Sequence, residues 1–434
     1  MGFESDEGEV VRKLLVAVFV TAAVLAPAAV GTWPARGAPP ARAWIGERQI
    51  SPADSDSWEP EVAGDPSSSY VYVAYRWHNG PRACSRCPNP PIVVQSSSDA
   101  GRTWAAPVFV CACPGVQGQF DPVIQVTSTG TVYATWMNWY DTVFSKSTDH
   151  GQTWSSPVEV SGARWTDHPW FGSSADGRDI YVFWAQGDVF EAHSHDSGAT
   201  WSVPRKINTD RQRYYYPEGV AVLPDGTVLL AAAAYPCGKG TSVCSGAINI
   251  SVFRSTDGGA SFTEQNVDTV SSGVDFATSA LATLASDAGG RTLLIYTGAP
   301  SVGANSQLFI RHTIDGGITW STPREIGSGP AANAAFPAIA AGASGSFHAI
   351  YVDKRTGAWN TWYQSSTDGG LTWTADIRIS GATAGAPYKS EAGYANPYGD
   401  YMGVDMTGEG KVVAAWGEAP SWSGPGDIWV NSWA

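Results

Sequence analysis

Carboxylates, phenols, guanidinium groups and indoles crowd into a few short stretches of this sequence. Asp121, Asp167, Glu218 and Glu391 lie near aromatic residues, and Tyr401 follows directly on Asp400. Arg76, Arg213 and Arg355 supply cations, while Trp58, Trp139, Trp170, Tyr216 and Tyr398 supply flat apolar faces. Paired carboxylates do acid–base work on glycosidic bonds. A Tyr or His can take the base role instead. Aromatic faces suit sugar rings, whose C–H faces are apolar, and Arg and carboxylates fix orientation. The set points to a glycan or glycoconjugate as partner, bound either by an enzyme or by a non-catalytic carbohydrate- or protein-binding module.

Those residues need elements to gather them, and the chain supplies a repeat. Ser97-x-Asp99-x-Gly101-x-Thr103-Trp104 recurs around Asp149, Asp196, Asp257, Asp315 and Asp368, in a degenerate form at Ser261-Phe262. The Asp-to-Asp intervals are 50, 47, 61, 58 and 53 residues. A period of this length marks a repeat architecture built from one supersecondary unit. Each unit opens with an x-Pro strand, as at Glu59-Pro60, Asp121-Pro122, His168-Pro169, Tyr216-Pro217 and Phe336-Pro337. A β-rich strand follows, then a strand into the Asp-Gly turn, then one leaving it. Four short antiparallel strands per unit describe a propeller blade. The last repeat lacks its fourth strand. Gln49-Ile50-Ser51 echoes Arg378-Ile379-Ser380 and can supply it. The sequence predicts an all-β propeller of seven four-stranded blades closed by the N-terminal strand, with six blades as the alternative.

One device repeated six times cannot define one asymmetric site, so the turn aspartates read as structural. Their oxygens can accept backbone N–H groups, and the glycines take positive φ. The candidate chemistry lies instead in the loops of the opposite face. Those loops also carry Glu59, Trp165, His168 and Tyr214, together with the other residues named above.

The boxes resemble those of the Asp-box, or BNR-repeat, propellers, whose best-known members are sialidases. The resemblance covers nearly the whole chain after residue 43 and implies the propeller fold. For activity it implies an exo-acting glycoside hydrolase, of sialidase type or related. A sialidase would need three Arg for the substrate carboxylate, for which Arg76, Arg213 and Arg355 are the occupants. It would need a Tyr nucleophile, Tyr401 or Tyr398, activated by Glu391 or Glu218, and an acid/base, Asp121 or Asp167. Trp58, Trp139, Trp170 and Tyr216 would line the sugar site. The Phe/Tyr-Arg-Ile-Pro motif of that family is missing, and Trp58-Glu59-Pro60 stands in its place.

Composition bounds the partners. The chain has 434 residues, 26 Lys+Arg against 40 Asp+Glu and a net charge of −14. That balance argues against nucleic acid and against anionic membrane surfaces. Charged residues are 15% and hydrophobic ones 43%, enough for a large core. Leu14 to Gly31 is apolar, Arg12 and Lys13 precede it, and Ala41-Arg42-Ala43 follows. That order reads as an export signal with its spacer over residues 1–43, leaving one domain over 44–434. The acidic stretch Gly2 to Glu9 does not suit a signal, which suggests translation from Val10 or Val11. An uncleaved anchor is the alternative. The expectation is a secreted monomer without membrane insertion after cleavage. In an exported protein six Cys read as disulfides. Cys237 is expected to pair with Cys244, and Cys84, Cys87, Cys111 and Cys113 among themselves in an order left open. No resident cofactor is expected. The one candidate is a structural Ca²⁺ in the central channel, on Glu59, Asp121, Asp167 and Asp400.

Overall fold

The computed structural model describes residues 43–53, 55–78, 80–162, 165–237, 245–273, 279–329, 331–381, 401–419 and 425–433. The expected export signal falls outside them, as do Glu391, Tyr398, Asp400 and Cys244. Each repeat unit forms one four-stranded antiparallel sheet, and there are seven. Blades 1 to 6 span residues 56–109, 119–159, 167–206, 214–271, 282–326 and 335–378. Blade 7 takes three strands from residues 403–432 and its outermost from Arg48–Gln49, where Arg48 pairs with Val430 and Gln49 with Trp429. The seven-blade expectation and its N-terminal closure both hold. Closing the ring leaves no inner sheet edge to pair with another chain.

The strand patterns follow from position. The second strand of each blade is covered by sheets on both sides, so it reads as a continuous apolar run. Val228–Tyr235 and Phe347–Asp353 are buried throughout. Fourth strands lie at the rim, and Val158–Glu159 and Ile377–Arg378 are short and exposed. Blades 7 and 1 meet across glycines. A Cβ at Gly64 would run into the Met406 carbonyl, and one at Gly403 would come within 2.6 Å of Val62 N. The seam needs that backbone approach.

The repeated turns are hydrogen-bond devices. Ser97 Oγ donates to Asp99 Oδ1 at 2.8 Å, and Gly101 N donates to Ser97 Oγ at 2.8 Å. Thr103 N and Oγ1 donate to Asp99 Oδ1 and Oδ2 at 2.8 and 2.7 Å. The same bonds form around the other five aspartates, including the degenerate one, where Ser261 replaces Thr. The Thr153 hydroxyl and N–H hold Asp149 down at about 2. These carboxylates are used up locally, as their repetition required. Cys84 and Cys87, and Cys111 and Cys113, lie at disulfide distance, which sets the order the sequence left open. Cys237 is also in a disulfide.

Candidate functional site

Five inner strands break register at the x-Pro pair, between Trp58 and Glu61, Phe120 and Val123, Asp167 and Trp170, and Ala335 and Ala338, or directly after it, between Pro217 and Val220. Such a bulge re-aims one residue. In four of them the residue before proline is left-handed: Glu59 (φ 56°), Asp121 (50°), His168 (49°) and Phe336 (48°). Non-glycine residues hold this conformation only where their surroundings over-determine it.

Here the surroundings are the neighbouring blades. Asp121 N donates to Glu59 Oε2 at 3.0 Å, and His168 N donates to Asp121 Oδ2 at 3.2 Å. The bulges of blades 2 and 3 each present an N–H to the carboxylate of the preceding blade, so blades 1, 2 and 3 are stapled in sequence. Glu59 Oε1 also accepts from Arg76 Nη1 at 2.6 Å. The Arg76 guanidinium lies 4.4 Å from the Phe120 ring and 4.8 Å from Trp58.

His168 ends the run. Its ring stacks on Tyr216 at 4.0 Å and meets Tyr401 edge-on at 5.5 Å. Trp170 Nε1 donates to His168 Nε2 at 2.7 Å. An indole N–H can only donate, so Nε2 is the bare nitrogen and the neutral ring carries its proton on Nδ1. Burial pushes the ring down to about 3 and keeps it neutral. Tyr401 is buried and its hydroxyl donates to Pro122 O at 3.2 Å. Asp167, one residue before His168, accepts from Tyr214 Oη at 3.2 Å. Burial raises its pKa, the Tyr214 bond opposes this, and the Glu59 charge adds to it.

Beside this cluster four aromatic rings follow one another. Phe120 lies 6.0 Å from Trp139, Trp139 lies 4.7 Å from Tyr140, and Tyr140 stacks on Trp165 at 4.6 Å. Trp165 is 71% exposed. Trp139 and Trp165 are both left-handed, at φ 65° and 73°.

Contacts therefore join Trp58, Arg76, Asp121, Asp167, Trp170, Tyr216 and Tyr401, with Trp139 at the rim. Other predicted residues lie apart. Arg213 bonds to the carbonyls of Ala234 and Ala247, with Asp210 3.5 Å away. Arg355 binds Asp353 and Asp376 and stacks on Trp362. Each arginine has its own partners, and no contact draws Arg76, Arg213 and Arg355 into a trio. Sequence reading placed Trp165 and His168 on this face without singling them out, and it passed over Phe120 and Tyr140. The signal for the staple was the identity of the residue before each proline: Glu, Asp, His.

Glu218 lies in the central channel. With Glu61 and Asp405 it lines a cavity of about 280 Å³. Burial, then the charges of Asp405 and Glu218, raises Glu61 well above the usual carboxylate range, and burial holds Asp405 at about 6. A carboxyl raised in the folded state binds a proton the unfolded chain has released, so it lowers stability as pH rises above the unfolded value. Glu61→Gln is expected to raise the melting temperature at pH 7, with the gain vanishing below about pH 4. Thermal scans of both proteins from pH 4 to 7 check this, and a gain independent of pH would refute it. Among the described residues no group of three His, Cys, Asp or Glu is placed to hold a metal ion. Glu59 is a poor Ca²⁺ ligand here, because Arg76 and Asp121 N take its two oxygens.

No family model matches the chain, and no curated protein matches it in sequence. Solved structures do match. A protein of unknown function from Dyadobacter fermentans is 14% identical, with 91% of this chain and 99% of that one covered and a TM-score of 0.51. A polysaccharide lyase of family PL25, an ulvan lyase, is 12% identical over 88% and 95%, with a TM-score of 0.54. The NanB sialidase of Streptococcus pneumoniae is 13% identical over 88% and 70%, with a TM-score of 0.47. At these identities the likeness is one of fold.

Proposed function

We propose that this protein is an exported carbohydrate-active enzyme, a glycoside hydrolase whose reacting bond sits over Asp167, Asp121 and His168. One observation carries the reading. Two carboxyl groups on adjacent inner strands sit in unlike environments, the arrangement that separates acid from base. Burial raises Asp167, the direction a general acid needs. Asp121 accepts a backbone N–H, a bond that favours the carboxylate. His168 Nδ1–H adds a donor, and Trp170, Tyr216 and Tyr401 pack around the His168 ring. Sialidase chemistry has less support, because its three arginines are not gathered. Disulfide-distance cysteine pairs on the same face suit export. One observation favours a binding propeller instead: Glu59 and Asp121 both hold backbone N–H groups, a structural task.

The test is a screen of the purified full chain against aryl glycosides, including a sialoside, and against soluble polysaccharides, following release of reducing ends. Glu218→Gln, lower in the channel, is expected to keep its rate within about threefold, whereas loss of a general acid costs far more. Retention on a polysaccharide without any product would decide for the binding propeller. No product and no retention on any substrate would sink the carbohydrate reading.

A further inference from the structure

We infer that Phe120, Trp139, Tyr140 and Trp165 form a stacking track for consecutive sugar units, so that the funnel receives a polysaccharide chain rather than an isolated terminal sugar. This rests on the carbohydrate reading of the funnel and goes beyond it by naming the substrate class.

The first argument is strain. Left-handed positions in tight turns are cheapest for Gly or Asn, yet this face places Trp at two of them. A bulky residue there costs folding free energy, and Trp165 recovers little by burial, being 71% exposed. The second argument is rigidity. Thr166 N donates to Tyr140 O at 3.0 Å, tying the backbone beside Trp165 to the neighbouring turn, and Trp139 N donates to Gly118 O at 2.8 Å. Gly118 packs under Phe120, where even a Cβ would come within 3.1 Å of the ring. The rings are presented ready-ordered, which limits the entropy lost on binding. The third is continuity. Phe120 precedes Asp121, and Trp165 lies two residues before Asp167. Both end rings thus flank the proposed reacting centre, and Trp165 carries the row out into solvent. A sugar stacked on Trp165 lies outside the buried cluster around His168, so the ligand extends beyond it.

The experiment uses the full chain in affinity gels containing xylan, xyloglucan, polygalacturonate or ulvan, with melting temperature measured in parallel. Trp165→Gly is expected to weaken retention by the responsive polymer about tenfold, and Trp139→Ala similarly. The melting temperature of Trp165→Gly should equal or exceed that of the parent, because glycine relieves the left-handed strain. A purely structural tryptophan would give the reverse: lower melting temperature and intact retention. Unchanged polymer affinity in both variants, with Asp167→Asn still inactive, overturns the track while leaving the funnel reading intact. Failure of the parent to bind or cleave any carbohydrate overturns both. A dimer that dissociates on Trp165→Gly substitution in analytical ultracentrifugation would assign the rings to a second copy of the chain and overturn the track.

Discussion

Asp167→Asn is expected to slow cleavage of the responsive substrate by roughly 10²–10⁴-fold, the usual worth of a positioned general acid. Asparagine keeps the shape and can still accept from Tyr214, so binding and folding should change little. What it lacks is a proton to give. A general acid works below its pKa, so the alkaline limb of the rate profile should report Asp167. Burial raises that pKa, and the Tyr214 bond pulls it back. Tyr214→Phe removes the lowering contribution. The limb should therefore move to higher pH, with the rate at the acid side of the plateau retained. If the limb moves down, or if Asp167→Asn keeps more than about a tenth of the parent rate, the proton is being supplied elsewhere. Leaving-group dependence separates loss of acid from loss of shape. A substrate with a good leaving group needs little protonation, so the variant should lose much less on it than on an unactivated glycoside.

The ring was legible because the blade grammar is local. Each box closes its turn with bonds spanning two to four residues, and each x-Pro pair marks an inner strand. Even the closure was visible, since Gln49-Ile50-Ser51 copies another blade's outer strand. The site was legible only as a face. Loops could be assigned to the funnel side, but which side chains meet there depends on contacts 62 and 47 residues apart, from Glu59 to Asp121 and from Asp121 to His168. Those follow from the bulge, whose left-handed residue turns its N–H toward the preceding blade. The arginines illustrate the converse. Arg355 has the right type and loop, but Asp353, two residues away, claims it, and Asp210 sits three residues from Arg213. An adjacent carboxylate in the sequence was a warning that such a cation would be spent locally. Arg76 has no such neighbour, and it does reach the centre.

Its partner there gives the largest stability effect expected in the molecule. Glu59→Ala should destabilise the fold by about 3–5 kcal/mol, the range for breaking one side of a buried ion pair. Two losses coincide. The Arg76 guanidinium, only 9% exposed, would keep its charge without the carboxylate 2.6 Å away. Its Nε is already buried without a partner. Asp121 N, turned inward by the bulge, would lose its acceptor as well. Glu59→Gln should lose less, since the amide oxygen can still accept from that N–H. The charge component can then be isolated. Arg76→Met in the Glu59→Gln background removes the stranded cation and leaves an apolar chain between Trp58 and Phe120. Replacing both members of a buried pair is often neutral, so the double variant should be more stable than Glu59→Gln alone. Urea unfolding of the parent, Glu59→Gln, Arg76→Met and the double variant gives the coupling directly. A Glu59→Ala loss within about 0.5 kcal/mol, the range of ordinary surface changes, would mean the staple holds nothing. The consequence for the site follows from the order of the run. Asp121 and His168 keep their strained backbones only while Glu59 anchors the first of them. Glu59→Ala, which removes that acceptor, should therefore lower catalytic rate well below the unfolding temperature, with the loss growing on warming faster than that of the parent.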